Sequence, residues 1–401
     1  KFSSRRKKEL NEKENNLKQS ICDMEQKLSN ISNEYDVIKA NEMSSDMRKK
    51  QLELENIRHK KLSGSFIRSK AKWIEEGEKP TKYFLNLEKR SFINKTIGVI
   101  ESEDGQTLYN QESIKADITQ FYSQLYSRVE IHDTDTINKL ESKKLTNDQA
   151  QSIEGSITIQ ELSHSLNNMK NDKSPGPDGF TVEFYKTLWP ELSMFLLRSI
   201  NYAFKKGSFL NTRTEGNIIL IPKGNKPRKY IKNWRPISLL NVSYKLASTS
   251  IANRIKGMLP HIINEDQTGF VPGRFIGENI RLIYDLIQYT DLKEIPGMLL
   301  LIDFEKAFDT VSHDFISKSL EFFNFGPGII KWFRTLYSNA SSRVIINGHL
   351  SNAFAINRGC RQGDTLSPYL FVIAVEILAL MIRKNKLIKG IKIDDVNLNV
   401  N

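Results

Sequence analysis

At 401 residues, with 39% hydrophobic and 26% charged residues, the chain can build a large core and more than one domain, and its make-up is that of a globular protein. No apolar run reaches membrane-spanning length and no signal peptide is evident, so no membrane segment is expected. The two cysteines, Cys22 and Cys360, lie far apart, and the six histidines lack metal-ligand spacing. A disulfide framework and a cysteine zinc site are therefore excluded, which suits a reducing compartment. The net charge of +12 suits a polyanionic partner, with nucleic acid the leading candidate, but charge alone does not separate this from a generally lysine-rich composition.

Residues 1–75 are highly charged and free of proline. Leu17, Ile21, Met24, Leu28, Ile31, Tyr35 and Ile38 form a heptad seam of about three repeats. It predicts a helical hairpin or a long helix rather than a stable dimer. The basic run Arg48–Lys61 reads as a solvated face, with phosphate contact as the second reading. In Ser69–Asn94, Trp73, Tyr83, Phe84 and Phe92 interleave with Lys and Arg90. That pattern suits single-stranded nucleic acid, or equally a core with charges facing water.

Ile97–Leu108 predicts a small hairpin turning at Asp104-Gly105, and Asn110–Ser127 an amphipathic helix. Ile159–Met169 is helical and runs into Lys173–Phe180, KSPGPDGF, a rigid exposed turn. Helices follow at Thr181–Leu188 and Leu192–Lys205, broken at Trp189-Pro190. Asn217–Pro222 and Asn233–Leu240 predict a strand pair. Their joining loop carries Lys223, Lys226, Arg228, Lys229 and Lys232, a positive tip able to reach over phosphates or an ordinary basic loop. Val242–Ile263 is one long helix. Gln267–Asn279, with Arg274, is a glycine-rich loop that is neither a Walker loop nor a dinucleotide fingerprint.

Pro296-Gly297 precedes Met298–His313, MLLLIDFEKAFDTVSH, whose five leading apolar residues predict a buried strand running into Asp303. A carboxylate at the end of a buried strand calls for a cation, typically a divalent metal where phosphates are handled. Taken alone, Asp303 reads as the cap of the following helix. Helices at Phe315–Phe323 and Gly328–Ser338, the segment Arg343–Asn347, the loop Asn357–Phe371 and an apolar helix Tyr369–Ile382 complete the chain. The first residue, Lys1, and the strand-like run before Asn401 give the expectation of an internal segment.

Taken in order, six of these stretches resemble the reverse transcriptase of non-LTR, LINE-type retrotransposons. KWIEEGEKPTKYFLN resembles the lead-in to the polymerase domain, KSPGPDGF the extra N-terminal motif, and NIILIPKGNKPRKYIKNWRPISLLNVSYKLASTSIANRI the finger hairpin and its helix. QTGFVPGRFIGENI resembles the next finger motif, LLLIDFEKAFDTVSH the first palm motif, and RGCRQGDTLSPYLF the palm loop-helix. The resemblance covers roughly residues 70–392. It implies an α+β polymerase right hand, with fingers and part of a palm whose mainly antiparallel sheet is backed by helices. The implied layout is a helical arm at 1–75, an extension at 76–165, fingers at 166–296 and a partial palm at 297–401 with a helical finger insertion near 315–350.

By the same resemblance, Asp303 and the carbonyl of Phe304 are metal ligands, with Asp303 catalytic and Mg²⁺ the cation of a two-metal site. Phe308 is the gate against a ribose 2′-hydroxyl, Lys223 and Arg235 grip the triphosphate, and Gln362 and Gly363 lie under the nascent pair. Lys226, Arg228, Lys229, Lys232 and Arg274 are the nucleic-acid contacts. The implied partners are template RNA, a DNA primer or target, and dNTPs, with no membrane. The implied location is intracellular, in a cytoplasmic ribonucleoprotein and in the nucleus. The family's second carboxylate motif, an aromatic-Ala-Asp-Asp turn, is missing, and Asp394-Asp395 lacks its apolar lead-in. The resemblance therefore implies an incomplete metal site and an inactive isolated chain. A group II intron maturase-like enzyme and a non-catalytic RNA-binding remnant stay open as alternatives.

Overall fold

The computed structural model describes residues 96–128, 137, 139–391 and 393. It also describes 12–24 and 46–54, except 14, 18, 22, 48 and 51. Most of the heptad seam, the Ser69–Asn94 stretch with its lead-in motif, and Asp394-Asp395 lie outside the described residues. The chain divides into two compact units, Lys1–Arg90 and Ser91–Asn401. In the first, helical stretches at 12–24 and 46–54 run in opposite senses. Lys13 pairs with Glu53 at 3.0 Å, and the Lys50 ammonium donates to the Ser20 hydroxyl at 2.7 Å.

The second unit is α+β. It opens with the hairpin β1 (Ile100–Glu101) and β2 (Thr107–Leu108), turned at Gly105 as its sequence predicts. Helix α1 (Gln111–Leu125) follows, its first turn capped by Asn110, which accepts from the Glu112 amide. Ile114, Ile118, Tyr122 and Leu125 recur at helical spacing and are buried. That stripe packs with Ile218, Leu220, Trp234, Val344, Ile346 and Phe354 in a core lying on one face of the main sheet.

Short helix α2 (Asn147–Ser152) and α3 (Ile159–Asn168) each start with a capping box, from Thr146 and Thr158. Helix α4 (Val182–Thr187) is followed directly by α5 (Trp189–Lys206). The expected break at Trp189-Pro190 is thus the start of α5, since proline is tolerated in a first turn where its missing N–H has no partner to lose. The KSPGPDGF turn is exposed except at Pro175, which is half-buried, and Gly176, which is buried. A Cβ on Gly176 would meet the Asn241 amide at 2.3 Å, and Asn241 in turn accepts from the Asp178 amide.

Strands β3 (Glu215–Pro222) and β4 (Trp234–Leu240) form the expected hairpin, in antiparallel register with Pro222 opposite Trp234. Helix α6 (Val242–Ile262) buries most of its length, including Ser243, Ser248, Thr249 and Ser250 beside its apolar residues. It is the axis of a second core, with α3, α5 and three later helices packed around it. These are α8 (His313–Phe322), α9 (Pro327–Tyr337) and α10 (Ser367–Lys384), after α7 (Ile276–Leu292). Helix α9 starts at exposed Pro327, and its first-turn amides at Gly328 and Ile329 donate to the Glu154 carboxylate at 2.6 and 3.0 Å.

The remaining strands are β5 (Ser341–Ile346), β6 (His349–Leu350) and β7 (Phe354–Ala355). The sheet runs β4-β3-β5-β6, with β7 also on β5. β3 and β5 are parallel, and the other pairings are antiparallel. Asn347 and Gly348 both take positive φ, the tight-turn signature of an Asn-Gly hairpin, and the Asn347 side chain bonds both backbone groups of Ile97.

Two expectations are corrected here. The sheet is built on the 215–240 hairpin and the 341–355 strands, not around Asp303, so part of the expected helical insertion is sheet. Met298–Ile302 is not a buried strand: the five side chains are 56–86% exposed and the segment has no strand assignment. A strand needs a neighbour for its N–H and C=O groups, and no described strand pairs with this one. Helix α7, which no periodicity argument singled out, likewise buries none of its residues, and Ile276, Ile280, Tyr284 and Ile287 are exposed.

Candidate active site

Three segments distant in sequence are joined by backbone hydrogen bonds: 303–313, the loop 357–366, and β4. The Gly359 amide donates to the Val311 carbonyl at 2.7 Å, and the Cys360 amide to the Phe308 carbonyl at 2.6 Å. Two residues on from Cys360, the Ser238 amide of β4 donates to the Gln362 carbonyl at 2.7 Å. Gly363 takes φ +106° there, and a Cβ would lie 2.9 Å from the Ser238 carbonyl oxygen. The close approach that requires glycine is therefore to β4.

Lys223 stands at the end of β3, half-buried, its ammonium donating to the Lys232 carbonyl at 2.9 Å. Burial lowers its pKa below the usual lysine value; nearby Lys226, Arg235 and Lys306 add to this and Asp309 opposes it. Arg235 is exposed on β4, opposite Ile221. The hairpin tip thus brings Lys223, Arg235 and Lys306 within electrostatic reach of one another, a concentration of cations fit for a polyphosphate.

Along the tip, Lys226, Arg228 and Lys232 are exposed. Lys229 is engaged: it pairs with Glu101 at 2.5 Å, and its carbonyl accepts from the Glu101 amide, fastening the tip to the β1–β2 hairpin. Arg274 departs from its expected role. Its guanidinium donates to the carbonyls of Asn264, Gln267 and Ile263, where α6 ends, so it closes the glycine-rich loop on itself.

Asp303 and Phe304 lie in the exposed segment. The Phe304 ring meets Phe371 edge-on at 6.5 Å. Phe308 lies 4.7 Å from Phe371 and edge-on to Phe270 at 6.3 Å, so the glycine-rich loop and α10 together wall its ring. Among the described residues no group of three or more His, Cys, Asp or Glu side chains could hold a metal ion.

Comparison with known proteins accounts for this arrangement. Residues 221–400 match the reverse transcriptase (RNA-dependent DNA polymerase) family. The chain is 32% identical over 92% of its length to the 149 kDa protein of transposon TX1 of Xenopus laevis, of which it spans 28%. It is 27% identical over 55% of its length to the Pol polyprotein of the type-2 retrotransposable element R2DM of Drosophila melanogaster, spanning 20% of that protein. It is also 30% identical over 54% of its length to the probable RNA-directed DNA polymerase from transposon BS of the same species, spanning 24% of it. Residues 221–400 thus belong to the reverse transcriptase family, and the relatives of the whole chain are proteins of transposons and retrotransposable elements.

The family generally uses divalent metal ions. No helix among the described residues is long and apolar enough to cross a membrane.

Several residues at the centre of the site carried no signal in the sequence. Asp309 is 2% exposed and accepts from the Tyr126 hydroxyl at 2.7 Å and the Gln362 amide at 3.0 Å. Burial pushes its pKa up to about 6, against those hydrogen bonds and the charges of Lys306 and Lys223. Arg361, beside Gln362, is buried, donates to the carbonyls of Thr214 and Leu336, and stacks over Tyr244 and Tyr337. Asp364 is buried too and accepts from the Ser248 and Tyr244 hydroxyls. A second acid six residues after Asp303, and Arg and Asp flanking the Gln-Gly pair, were the only available hints.

Proposed function

We propose that this chain is the nucleotide-gripping part of an RNA-directed DNA polymerase, extending a DNA primer on an RNA template in retrotransposition. The observation that carries the proposal is the main-chain stitching of the Phe308 segment, the Gln362 loop and β4, which gathers Lys223, Lys306, Phe308 and Gln362 around one locus. Lys223 and Arg235 hold the triphosphate, Arg through its bidentate fork. Phe308, held by Phe270 and Phe371, excludes a 2′-hydroxyl. Asp303 takes the divalent cation, Mg²⁺, with the Phe304 carbonyl beside it, and Lys226, Arg228 and Lys232 contact the nucleic-acid backbone. The place of action is a ribonucleoprotein of cytoplasm and nucleus.

The test uses the polymerase expressed from its complete reading frame. On a primed RNA template, Asp303→Asn abolishes synthesis and leaves template binding intact, while Phe308→Val keeps synthesis and admits ribonucleotides. Synthesis retained by Asp303→Asn returns Asp303 to a helix-capping role. The 401-residue chain alone binds the template without extending it. An RNA-binding protein without catalysis is the second reading, favoured because among the described residues no group of three or more His, Cys, Asp or Glu side chains forms around Asp303. It is adopted if the complete protein also fails to extend.

A further inference from the structure

We infer that Asp309 is a positioning residue for nucleotide selection, fixing the Gln362 side chain and tying it through Tyr126 to the end of helix α1. The inference rests on the reverse-transcriptase reading of the site and goes beyond it.

The geometry is specific. An ionised carboxylate can only accept hydrogen bonds. The two carboxylate oxygens of Asp309 are taken by different donors, Oδ1 by the Tyr126 hydroxyl and Oδ2 by the Gln362 amide nitrogen. The carboxylate thereby decides which way round the Gln362 amide sits: its NH₂ faces Asp309 and its carbonyl oxygen is the end turned away. The Gln362 main chain is held independently, by the Ser238 amide. With the backbone fixed on one side and the side chain on the other, Gln362 is constrained at both ends.

Tyr126 has its own anchors. It is the C-cap of α1, its ring stacks between Tyr122 and Phe354 at 6.2 Å from each, and its carbonyl accepts from the Asn357 amide. The neighbouring Leu125 carbonyl accepts from Arg358 at 2.6 Å. Helix α1 thus bonds both the start of the 357–366 loop, through the backbone, and its working residue, through Asp309. Buried hydrogen bonds to a charged acceptor are among the stronger side-chain interactions, and a buried donor left without its acceptor costs more than the bond itself.

The experiment measures single-nucleotide incorporation by the complete polymerase on a primed RNA template, with kcat and KM for dNTP determined separately. Asp309→Asn is expected to raise the dNTP KM about tenfold with kcat changed far less, because one buried donor then faces an amide nitrogen. Tyr126→Phe, at the end of a remote helix, is expected to raise KM about threefold, and to add nothing further in the Asp309→Asn background. Asp309→Asn with Gln362→Glu, which reverses the amide–carboxylate pair, restores part of the loss. Should Asp309→Asn fold poorly, the KM of Tyr126→Phe decides alone, since that variant removes only a hydroxyl. An active wild type whose KM is unmoved by either variant, or additive effects of the two, overturns the inference. An inactive wild type overturns the polymerase reading together with it.

Discussion

The Ser238 amide of β4 donates to the Gln362 carbonyl at 2.7 Å, so the finger hairpin and the loop bearing the Gln-Gly pair are joined by main chain. Side-chain substitution cannot remove such a bond, and the two segments keep their spacing whatever the hairpin tip does. The hairpin's cations therefore hang from a fixed base, while the tip itself is fastened at Lys229 to Glu101.

Gly363→Ala tests that junction. The left-handed φ of +106° and the Ser238 oxygen 2.9 Å from the added Cβ both oppose the substitution. A loss of about 2 kcal/mol is expected from backbone strain of this kind, read as a lower denaturant midpoint with an unchanged slope. Stability equal to wild type would mean that the loop relaxes away from β4.

Arg361→Ala should cost about 3–5 kcal/mol, the range for breaking a buried charged network by removing one partner. It strips donors from the Thr214 and Leu336 carbonyls and leaves buried Asp364 without its nearby positive charge. Arg361→Lys should recover only a fraction, because an ammonium cannot reproduce the fork or its stacking over Tyr244. Urea unfolding of the three proteins checks both statements.

Asp309 gives the fold a defined pH dependence. Its folded pKa, about 6, is raised from 3.8, mainly by burial. A carboxyl raised in the fold is one whose protonated form the fold prefers. Its contribution to stability is fully present below the unfolded value and is lost as pH rises through about 6. Around it, Tyr126 and Gln362 donate hydrogen bonds and Lys306 and Lys223 favour the charged form. It raises the pKa values of Tyr122 and Cys360. The wild type should lose on the order of 2–3 kcal/mol from this group between about pH 4 and pH 7, a slope that Asp309→Asn lacks. Parallel pH profiles of the two proteins would refute the assignment.

Leu299→Ser with Leu301→Ser should leave the melting temperature of the 401-residue chain unchanged. Both side chains are mostly exposed, at 56% and 78%, and substitutions at exposed sites move stability by less than about 0.5 kcal/mol. The same pair should reduce self-association, measured by light scattering, because it breaks a contiguous apolar patch. A large drop in melting temperature would show that the segment is buried in solution.

Binding of single-stranded RNA should weaken with salt at a log–log slope of about −0.7 per phosphate neutralised. Lys226→Ala and Lys232→Ala, at exposed positions of the tip, should each flatten the slope. Lys229→Ala should flatten it less, because its charge is already paired with Glu101. Equal effects at all three positions would show that RNA breaks the Glu101 pair.

The sequence by itself determined much of the local structure, where local chemistry is sufficient. The 217–240 hairpin follows from two short apolar runs around a charged loop, the Asp104-Gly105 turn from its glycine, and a single long helix follows Asn241 as expected. The ordered motifs also sufficed for the family, because each carries its own residue pattern. Only the tertiary structure decided what depends on partners remote in sequence. Arg274 reads as a phosphate ligand until the carbonyls ending α6 take its donors, and Lys229 reads as a free cation until Glu101 reaches it. Met298–Ile302 has the composition of a buried strand, but a strand's burial is set by its neighbours, and no described strand pairs with it. Asp309 was one more acid in a charged motif; its raised pKa comes from the burial that the fold imposes, and its two hydrogen-bond donors, Tyr126 and Gln362, lie 183 and 53 residues away. Hydrogen bonding and desolvation at such a site are properties of what the fold brings together, and sequence spacing does not encode them.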